Sequence, residues 1–418
     1  MAVKLGNGNW AVKEDKLLAY NDNSGRFFNK EFDFSRGSSA TYVAKDGLIK
    51  SAASDVPRID FSDSTNGALL LEPSRTNSIN YSENVLLWST SGTIIREDNV
   101  SISPNGKQTA STITSTDVST FNRIRQNFSA SANSTCTASL FIKKVQTETN
   151  YLGLGIIFTG ATTDVAYISF DSVNGIARNM DSRVTAILNV VDYDTYWRLE
   201  ATATDSESNT QVEMAVYPTL STNGTTVSPG ASSIRTIWGM QLELNSSYAT
   251  SYIPSLSGST TTRLADVCNN SGSAQDFNSE EGVLYADIAA LGDTTDVRGI
   301  TLSDGSSNNR VYIHFSSDTN IRGQIRVGAS NEAVINSTQT LTNLNKIALK
   351  YKANDFALWI NGVEVGTDTS GNIYSSNTLT ELSFDDGGGG NDFYGKVKDL
   401  QVFTTALTDE ELAALTTI

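Results

Sequence analysis

Short runs of apolar residues, separated by polar and glycine-rich turns, make up most of this chain. In the run YLGLGIIF every second position is apolar, at Leu152, Leu154, Ile156 and Phe158. Such alternation predicts strands that bury one face and expose the other. Six to eight runs of this kind lie between about residues 86 and 256, and a two-sheet antiparallel sandwich accommodates that number economically.

The second half of the chain also predicts strands, in runs such as RVYIHFS, KIALKYK and FALWI. Asn361 and Gly362 follow FALWI, and this pair favours a type I′ hairpin because both positions accept positive φ. Thr408 and Glu411 have the spacing of a capping box, which predicts one short helix near the end. The predicted fold class is all-β: tandem antiparallel β-sandwiches of jelly-roll type, with a small β-rich N-terminal segment and one short C-terminal helix.

Changes in composition along the chain indicate the domain boundaries. All six prolines lie at or before Pro254, and a segment rich in Ser, Thr and Gly follows it. Such a segment contributes little to a core and is typical of a linker. We therefore predict a β-rich N-terminal segment over residues 1–85, a jelly roll over 86–256, a linker over 257–272 and a second sandwich over 273–418.

The stretch that begins WGMQLEL joins the two predicted sandwiches. Its alternation predicts a strand whose apolar face is formed by Trp238, Met240, Leu242 and Leu244. Pro254 then ends the regular pattern. We interpret the stretch as the last strand of one domain and the start of the linker to the next.

Three motifs follow one another in this stretch: W-G-x-Q-L-E, A-T-S-Y-I-P and T-R-L-A-D. Together they resemble a recurring junction in bacteriophage tail and appendage proteins. The resemblance implies a carbohydrate-binding-module-like jelly roll before the junction and a concanavalin A/laminin-G-like domain after it. It also implies that residues 1–85 dock the chain to the virion, and a small β-subdomain packed on the next domain is the close alternative. The matching positions are Trp238, Gly239, Gln241, Leu242, Glu243, Ala249, Thr250, Ser251, Tyr252, Ile253, Pro254, Thr262, Arg263 and Asp266.

An excess of acidic residues narrows the range of partners. Lys and Arg number 30 against 46 Asp and Glu, a formal net charge of −16, which disfavours contact with phosphate backbones. Nucleic acid is therefore not expected as a partner. The apolar runs are shorter than the ~20 residues that span a bilayer, and the first residues lack the apolar region of a signal peptide. We expect a protein that is made in a cytoplasm and does not insert into a membrane.

The residue types that hydrolysis and zinc binding require are scarce. The chain has one histidine, His314, and two cysteines, Cys136 and Cys268. Histidine is the usual base beside a nucleophile, and zinc takes His and Cys ligands, so neither chemistry is expected. Glycosidases need only two carboxylates, but Glu280 and Glu281 are adjacent and a strand would point them to opposite faces. The sequence predicts a protein that is not an enzyme, with Cys136 a buried free thiol.

Aromatic residues of the predicted jelly roll are candidates for sugar binding. The family resemblance implies an aromatic platform, whose flat apolar face matches the C–H groups of a sugar ring. Tyr193 and Tyr196 lie in the polar turn DYDTY, whereas Trp197 alternates in phase with core residues and is expected to pack. The predicted carbohydrate-binding residues are Tyr193, Tyr196, Trp88 and Tyr151, and Tyr167 is a further aromatic candidate.

Acidic loops of the second sandwich are candidates for a calcium site. Calcium takes carboxylate and carbonyl oxygens, and the resemblance to laminin-G-like domains implies that it would be held at one rim of the sandwich. The predicted ligands surround four consecutive glycines and are Asp385, Asp386, Asn391 and Asp392. Asp293 with Asp296 forms a second acidic pair. Acidic turns also serve solubility, so the alternative of a plain surface loop stays open.

The leading hypothesis is a non-enzymatic bacteriophage virion protein, a subunit of a tail fibre, head fibre or other appendage. Its lectin-like sandwiches would bind host surface polysaccharide, and several copies, expected as a homotrimer by analogy with fibres, would raise avidity. Assembly in the host cytoplasm and exposure on the virion follow from this hypothesis. The alternatives are a purely structural decoration or adaptor protein that binds other virion proteins, and a polysaccharide depolymerase.

Overall fold

The structure is a computed structural model. It describes residues 2–7, 10–13, 16–21, 26–147, 150–180, 183–229, 232–292, 295–317 and 319–418. The chain divides into two compact units. Unit 1 comprises Met1–Asp46, Ser51–Ser74 and Leu264–Ile418, and unit 2 comprises Gly47–Lys50 and Arg75–Arg263.

Strands make up most of both units. The strands before Arg75 are β1 (Ala2–Asn7), β2 (Ala11–Lys13), β3 (Lys16–Asn21), β4 (Arg26–Glu31), β5 (Asp33–Ser35), β6 (Ala40–Val43), β7 (Ile49–Ala52), β8 (Ile59–Asp60) and β9 (Ala68–Leu71). The strands of unit 2 from Arg75 onward are β10 (Arg75–Asn77), β11 (Ser89–Ser91), β12 (Ile94–Ile102), β13 (Gln108–Ser115), β14 (Arg123–Ser129), β15 (Thr135–Lys143), β16 (Tyr151–Thr159), β17 (Thr163–Asp171), β18 (Ile176–Asn179), β19 (Ile187–Tyr193), β20 (Tyr196–Thr204), β21 (Gln211–Ser221), β22 (Ser233–Leu244) and β23 (Thr261–Arg263), with a 3-10 turn at Val85–Leu87. The remaining elements are β24 (Val267–Asn269), β25 (Glu281–Ala290), β26 (Arg298–Ser303), β27 (Arg310–Phe315), β28 (Asn320–Val327), β29 (Ser330–Thr338), β30 (Asn345–Lys352), β31 (Phe356–Ile360), β32 (Val363–Asp368), β33 (Glu381–Ser383), β34 (Gly395–Phe403) and helix α1 (Asp409–Thr416).

Unit 1 is a sandwich of two antiparallel sheets. One sheet has the order β32-β31-β30-β25-β34-β9-β8, with β1 also paired to β34, and the other has the order β29-β28-β27-β26-β33. Their facing sides share one core, in which Leu284 and Leu400 of the first sheet meet Ile313 and Phe315 of the second. All four side chains are fully buried.

Unit 2 is a second antiparallel sandwich. Its front sheet has the order β11-β14-β21-β16-β17-β18, and its back sheet has the order β12-β13-β22-β15-β20-β19. Leu154 and Met214 of the front sheet pack with Leu199 and Leu242 of the back sheet in a continuous core. The alternation seen in YLGLGIIF therefore identifies the buried face of β16.

The predicted all-β fold class is confirmed. The structure consists of antiparallel sheets that form sandwiches, and α1 is the one α-helix among the described residues. Asn361 and Gly362 have φ values of 53° and 84°, as the predicted hairpin requires. Thr408 accepts a hydrogen bond from the Glu411 N–H, and the Glu411 side chain accepts one from Thr408, which completes the capping box. None of the helices in the described part of the chain is long and apolar enough to cross a membrane.

The compact units divide the chain at other places than the predicted boundaries 1–85, 86–256, 257–272 and 273–418. Most of the N-terminal segment belongs to the C-terminal sandwich, because β1 and β9 both pair with β34. Within the predicted linker, β23 pairs with β10 in unit 2 and β24 pairs with β5 in unit 1. These pairings join residues far apart in sequence, and composition carries no information about them.

One predicted strand face is wrong in its first residue. Trp238 was expected to share the apolar face of Met240, but Trp238 packs with Phe141 and Tyr252 on the opposite side of the sheet. The register between β15 and β22 shifts at this point, and Gly239 has a φ of 61°. A bulge at a glycine changes which face the following residues occupy, so strict alternation fails there.

Buried hydrogen bonds explain why the junction residues form a recognisable pattern. Glu243 is fully buried and accepts hydrogen bonds from the Thr250 N–H at 3.0 Å and the Thr250 hydroxyl at 2.5 Å. Gln241 donates to Glu243 and accepts from the Ile253 N–H at 2.7 Å. Arg263 donates to the Thr250 hydroxyl at 3.1 Å. The junction motif is therefore a structural network inside unit 2, and burial raises the pKa of Glu243.

A second buried network, of four charged residues, lies inside unit 1. Arg36 donates to Asp266 at 3.0 Å, and Arg58 forms ion pairs with Glu72, at 2.6 Å, and with Asp266. All four side chains are at most 1% exposed. Two guanidinium groups and two carboxylates balance in charge, as burial at this depth requires. Asp266, the last residue of the junction motif, thus links the segments of unit 1 that precede unit 2 in the sequence to the segment that follows it.

Candidate functional site

The outer face of the front sheet in unit 2 carries a cluster of charged and aromatic side chains. Residues of β14, β21, β16 and β17 alternate between the core and this face. One row across the four strands reads Arg125, Ala215, Gly155 and Tyr167. The two central residues are small and buried, and the ring of Tyr217 packs over Gly155. We call the set Arg123, Arg125, Tyr167, Glu213 and Tyr217 the front-sheet cluster.

Two tyrosine rings form the apolar part of the cluster. Tyr167 and Tyr217 lie edge to face, with ring centroids 6.1 Å apart and an interplanar angle of 86°. A Cβ at Gly155 would lie 3.2 Å from the Tyr217 ring and 3.5 Å from Tyr167, so the glycine lets both rings lie close to the sheet. Tyr217 is buried, and burial raises its pKa, whereas Tyr167 is partly exposed. The ring that a ligand can reach is therefore that of Tyr167.

The charged part of the cluster is an arginine pair that shares one carboxylate. Arg125 Nη1 lies 2.7 Å from Glu213 Oε2, and Arg123 Nε lies 3.2 Å from Glu213 Oε1. Arg123 also donates to the Tyr217 hydroxyl at 3.3 Å, with its guanidinium carbon 5.7 Å from the ring centroid. The Arg123 and Arg125 side chains are 24% and 34% exposed. The three ionised groups leave one net positive charge on this face of an acidic protein.

This arrangement is suited to binding hydroxyl and carboxylate groups. A guanidinium group presents several N–H donors in a fixed fork, which matches carboxylates and neighbouring oxygens. The contacts with Glu213 hold both forks in place before a ligand arrives, and Tyr167 adds an aromatic surface with a polar tip. The face combines positioned donors, an acceptor and a partly exposed ring, groups that can hold a ligand through hydrogen bonds and ring contact.

Of the predicted aromatic residues, Tyr151 and Tyr167 lie on this outer face. Tyr151 is partly exposed at the start of β16, and a Cβ at Gly224 would lie 3.2 Å from its ring. Trp88 and Tyr196 are buried, at 3% and 1% exposure. The Trp88 indole donates to the Tyr81 carbonyl at 3.2 Å, and the Tyr196 hydroxyl donates to the Ile102 carbonyl at 2.8 Å. The rings of Trp88 and Tyr196 therefore hold the fold together and present no open face to a sugar.

Tyr193 and Trp197 belong to the back sheet. Tyr193 is partly buried and packs edge-on against Phe141, with ring centroids 5.0 Å apart. Trp197 packs against the core, donates to the Ser172 carbonyl at 3.0 Å and has the backbone of Gly175 against its ring. Neither residue joins Tyr151 and Tyr167 in one platform.

The predicted calcium ligands lie in the glycine loop of unit 1, where the loop's own donors occupy their oxygens. Asp385 accepts from the Gly387 N–H at 2.7 Å, and burial raises its pKa to about 6. Asp386 accepts from the Gly388 N–H at 2.9 Å and from the Asn391 amide at 2.8 Å. Although partial burial opposes it, these hydrogen bonds lower the pKa of Asp386.

The rest of the calcium prediction concerns Asp392 and the pair Asp293 and Asp296. Asp392 accepts from the Tyr394 hydroxyl at 3.2 Å, and burial raises its pKa. Asp293 lies outside the described residues. Among the residues described, no three His, Cys, Asp or Glu side chains are grouped so that they could hold a metal ion. Calcium binding stays a prediction.

The glycine loop also packs on the outer face of the five-stranded sheet in unit 1, through hydrogen bonds. Arg310 donates to the Asp386 carbonyl at 2.6 Å, and the Gly299 N–H donates to the Asn391 carbonyl at 3.3 Å. Beneath these contacts Arg310 lies 4.5 Å from the Tyr312 ring centroid, and Tyr312 stacks on His314 at 4.2 Å. All three side chains are buried.

Sequence reasoning missed the charged members of the front-sheet cluster. The signal was present in part: Arg123 and Arg125 alternate with Ile124 along β14, and Glu213 and Tyr217 are two of the residues that alternate with core positions along β21. Period-two alternation therefore places each pair on one face of its own strand. It does not show that the two strands are neighbours, since Arg125 and Glu213 are 88 residues apart.

Comparison with protein families identifies the C-terminal part of unit 1. Residues 289–413 match a laminin G family model described as the concanavalin A-like lectin/glucanases superfamily. The predicted concanavalin A/laminin-G-like domain is confirmed over these residues. No curated protein matches the chain.

Several solved structures are similar to parts of the chain. The CBM40 of Ruminococcus gnavus IT-sialidase, bound to alpha2,3 sialyllactose, is 16% identical over 36% of this chain and 94% of its own, with a TM-score of 0.30. The tandem CBM22 domains of Paenibacillus barcinonensis Xyn10C are 11% identical over 81% of this chain and 99% of their own, with a TM-score of 0.28. Domains LG4-5 of the mouse laminin alpha1 chain are 9% identical over 71% and 93%, with a TM-score of 0.24. These values assign no ligand or activity to this chain.

Proposed function

We propose that this protein is a non-enzymatic glycan-binding protein and that the front-sheet cluster is its binding site. The observation that carries the proposal is the row from Arg125 to Tyr167, in which a fixed guanidinium group and a partly exposed ring flank two small residues. The match of residues 289–413 to a lectin and glucanase superfamily supports a lectin-like role for the chain as a whole.

The charge of the cluster favours glycans that carry carboxylate groups. Arg123 and Arg125 share the single carboxylate of Glu213, so part of their hydrogen-bonding capacity is left for a ligand. A sugar carboxylate would be held by charge-assisted hydrogen bonds, while neighbouring hydroxyls reach the Tyr167 hydroxyl or Glu213. Acidic surface polysaccharides of bacteria have this chemistry.

The biological setting that we propose is the virion of a bacteriophage. Its support is the sequence resemblance of the junction motif to that of tail and appendage proteins. One shallow site binds a sugar weakly, but several copies in a symmetric appendage raise avidity by roughly 10²–10⁴. The protein would then attach the particle to surface polysaccharide of the host cell.

The test is binding of the purified, full-length protein to polysaccharide extracted from candidate host bacteria, both acidic and neutral. We expect saturable binding to an acidic polymer, weakened about 10-fold by Arg125→Ala, which corresponds to ~1.4 kcal/mol. Arg322→Ala is the matched control, because Arg322 is a partly exposed sheet arginine of unit 1 that donates to Asn336. The control should bind like the wild type.

Two results would contradict the proposal. If the folded protein binds no polysaccharide or cell but binds virions that lack it, the chain is a structural adaptor. If the viscosity of the polymer falls during incubation, the protein is a depolymerase. A chelator included in a parallel series tests the predicted need for calcium, because binding that survives chelation does not depend on the metal.

A further inference from the structure

A cavity of about 450 Å³ lies in unit 2 beside β14. Unlike the front-sheet cluster, it is lined by uncharged residues. Its lining includes Asn80, Tyr81, Leu87, Gln126 and Phe128. The volume falls in the range of ~300–1,000 Å³ that small-molecule sites occupy. We call this space the β14 cavity.

The cavity exists because the edge strand of the front sheet is short. β11 is the outer neighbour of β14 and ends where Ser89 pairs with Arg125. β14 continues to Ser129, and in the described part of the chain no strand pairs with residues 126–129 on that side. Along residues 126–129, polar groups at the edge of β14 therefore face the cavity instead of a partner strand.

The wall opposite this edge is held in a fixed conformation. The Gln126 amide donates to the Asn80 carbonyl at 2.7 Å and accepts from the Asn80 N–H at 3.0 Å. Tyr81 has a φ of 53°, which is uncommon for an aromatic residue and costs energy. The Trp88 indole and the Ser257 carbonyl both bond to the Tyr81 backbone and hold it there. The site is therefore organised before any ligand binds.

Two features of the lining specify the chemistry of a ligand. All the lining residues belong to the described chain, and none of them carries a charge. Asn127 lines the cavity and is exposed, so its side-chain amide offers a ligand both a donor and an acceptor. Tyr81, Leu87 and Phe128 supply apolar surface, and the Leu87 side chain is 57% exposed.

We infer that the β14 cavity is a second binding site, for an uncharged sugar residue whose hydroxyls form hydrogen bonds with the Asn127 amide. An anion would find no cation in the lining, and a purely apolar ligand would cover the Asn127 amide without satisfying its hydrogen bonds. A neutral sugar has both a C–H surface for the Tyr81 and Leu87 side chains and hydroxyls for the amides. The choice of a sugar rests on the proposed glycan-binding function of unit 2, whereas the position and the neutral character of the site rest on the cavity alone.

The test uses NMR signals of ¹⁵N-labelled tryptophan indoles in the full chain. Trp88 contacts the cavity wall through its indole N–H, and Trp238 donates instead to Thr109 and serves as an internal reference. The signal of Trp88 is identified with Trp88→Phe. The titrants are the methyl glycosides of glucose, galactose and mannose, each at millimolar concentration, together with glucuronic acid. We expect at least one neutral glycoside to shift the Trp88 signal in a saturable manner and glucuronic acid to leave it unchanged.

Ser89→Tyr and Thr90→Tyr form a matched pair of variants. Both residues are exposed on β11, but Ser89 lines the cavity and Thr90 points to the other side of the strand. Ser89→Tyr should weaken the Trp88 response about 10-fold or more, and Thr90→Tyr should leave it within about 2-fold of the wild type.

Three outcomes would overturn the inference: no neutral glycoside shifts Trp88, glucuronic acid shifts it equally, or both variants weaken the response alike. Arg125→Ala separates this site from the front-sheet cluster. If Arg125→Ala weakens polysaccharide binding about 10-fold while the Trp88 response persists, both sites exist. If the Trp88 response persists and polysaccharide binding is insensitive to Arg125→Ala, the proposed function fails at the cluster and the cavity stands.

Discussion

Two sheet faces of this protein each carry an arginine beside a tyrosine ring, but the two arginines differ in how deeply they are buried. In unit 2, Arg123 lies 5.7 Å from the ring centroid of Tyr217, and in unit 1, Arg310 lies 4.5 Å from that of Tyr312. The guanidinium group of Arg123 is one-quarter exposed and bonded to a carboxylate. That of Arg310 is buried and bonded to the carbonyl of Asp386 in the glycine loop.

The comparison shows that burial by neighbouring segments, and not residue type, decides whether an Arg–Tyr pair can contact a ligand or only stabilises the fold. An arginine stacked on an aromatic ring is a familiar feature of binding surfaces and of folded interiors alike. In unit 1 the glycine loop takes up the donors of Arg310, so the pair serves stability. In unit 2 the side chains of Arg123 and Arg125 stay 24% and 34% exposed beside the partly exposed ring of Tyr167. The predictions below test this contrast.

The largest expected effect is the loss of stability caused by Arg310→Ala. This change leaves the Asp386 carbonyl and the Gln324 amide oxygen without their buried donor and removes contact with the Tyr312 ring. We expect the free energy of unfolding to fall by ~2–4 kcal/mol, against at most ~1 kcal/mol for Arg125→Ala. Urea denaturation followed by circular dichroism measures both. Equal losses would remove the contrast between the two faces.

The next effect is a pH-dependent gain in stability from Asp385→Asn. Burial raises the pKa of Asp385 to about 6, above its ordinary value near 3.8, so the folded state disfavours the ionised carboxylate. The free energy of unfolding that this burial costs is close to zero below about pH 4. The cost grows between about pH 4 and pH 6 and is complete above about pH 6. Asn removes the charge and can still accept from the Gly387 N–H.

We therefore expect Asp385→Asn to raise the free energy of unfolding by ~1–3 kcal/mol at pH 7.5 and to change it little at pH 4. Thermal denaturation across this pH range is the measurement. A gain that is the same at both pH values would show that burial of the charge is not its cause. The corresponding change at a partly exposed carboxylate, Asp368→Asn, is the control.

A smaller effect is expected on ligand binding at the open face. Tyr167→Ala removes the exposed ring of the front-sheet cluster and should weaken binding to an acidic polysaccharide about 10-fold, or ~1.4 kcal/mol. Tyr167→Phe keeps the ring and should retain most of the affinity. Isothermal titration calorimetry distinguishes the two variants. If Phe and Ala weaken binding equally, the hydroxyl group and not the ring makes the contact.

The smallest effect is the dependence of binding on salt. Raising ionic strength from about 0.05 to 0.5 M shortens the range of electrostatic attraction and should weaken binding of an acidic polysaccharide at Arg123 and Arg125. The Arg125→Ala variant should lose less affinity over the same range, because one of the two cations is gone. Identical salt dependence in the two proteins would place the anionic groups of the ligand elsewhere.

The sequence predicts best those features that depend on neighbouring residues. Leu152, Leu154 and Ile156 reveal a strand because burial on one face imposes a period of two. Asn361 reveals a hairpin and Thr408 a helix start, since each acts through its own backbone or that of residues nearby. These signals were sufficient for the fold class and for the elements at the end of the chain.

Features that depend on distant pairings escaped prediction. Tyr196 is buried among residues of other strands and donates to the carbonyl of Ile102, 94 residues away, whereas its polar neighbours in sequence suggested exposure. A bulge at Gly239 moves Trp238 to the other face of the sheet, and the presence of a glycine does not by itself predict a bulge. The cluster of Arg125 and Glu213 likewise forms only when β14 and β21 come together. In each case the missing information is the identity of the partner strand.

The buried network of Arg36, Arg58, Glu72 and Asp266 has a consequence for the order of events during synthesis. Arg36 leaves the ribosome 230 residues before its partner Asp266, a delay of roughly 10–50 s at ~5–20 residues per second. Residues 75–263, which form nearly all of unit 2, are complete before Asp266 appears. Unit 2 can therefore fold first, while the guanidinium group of Arg36 stays without its carboxylate partner until Asp266 has been made.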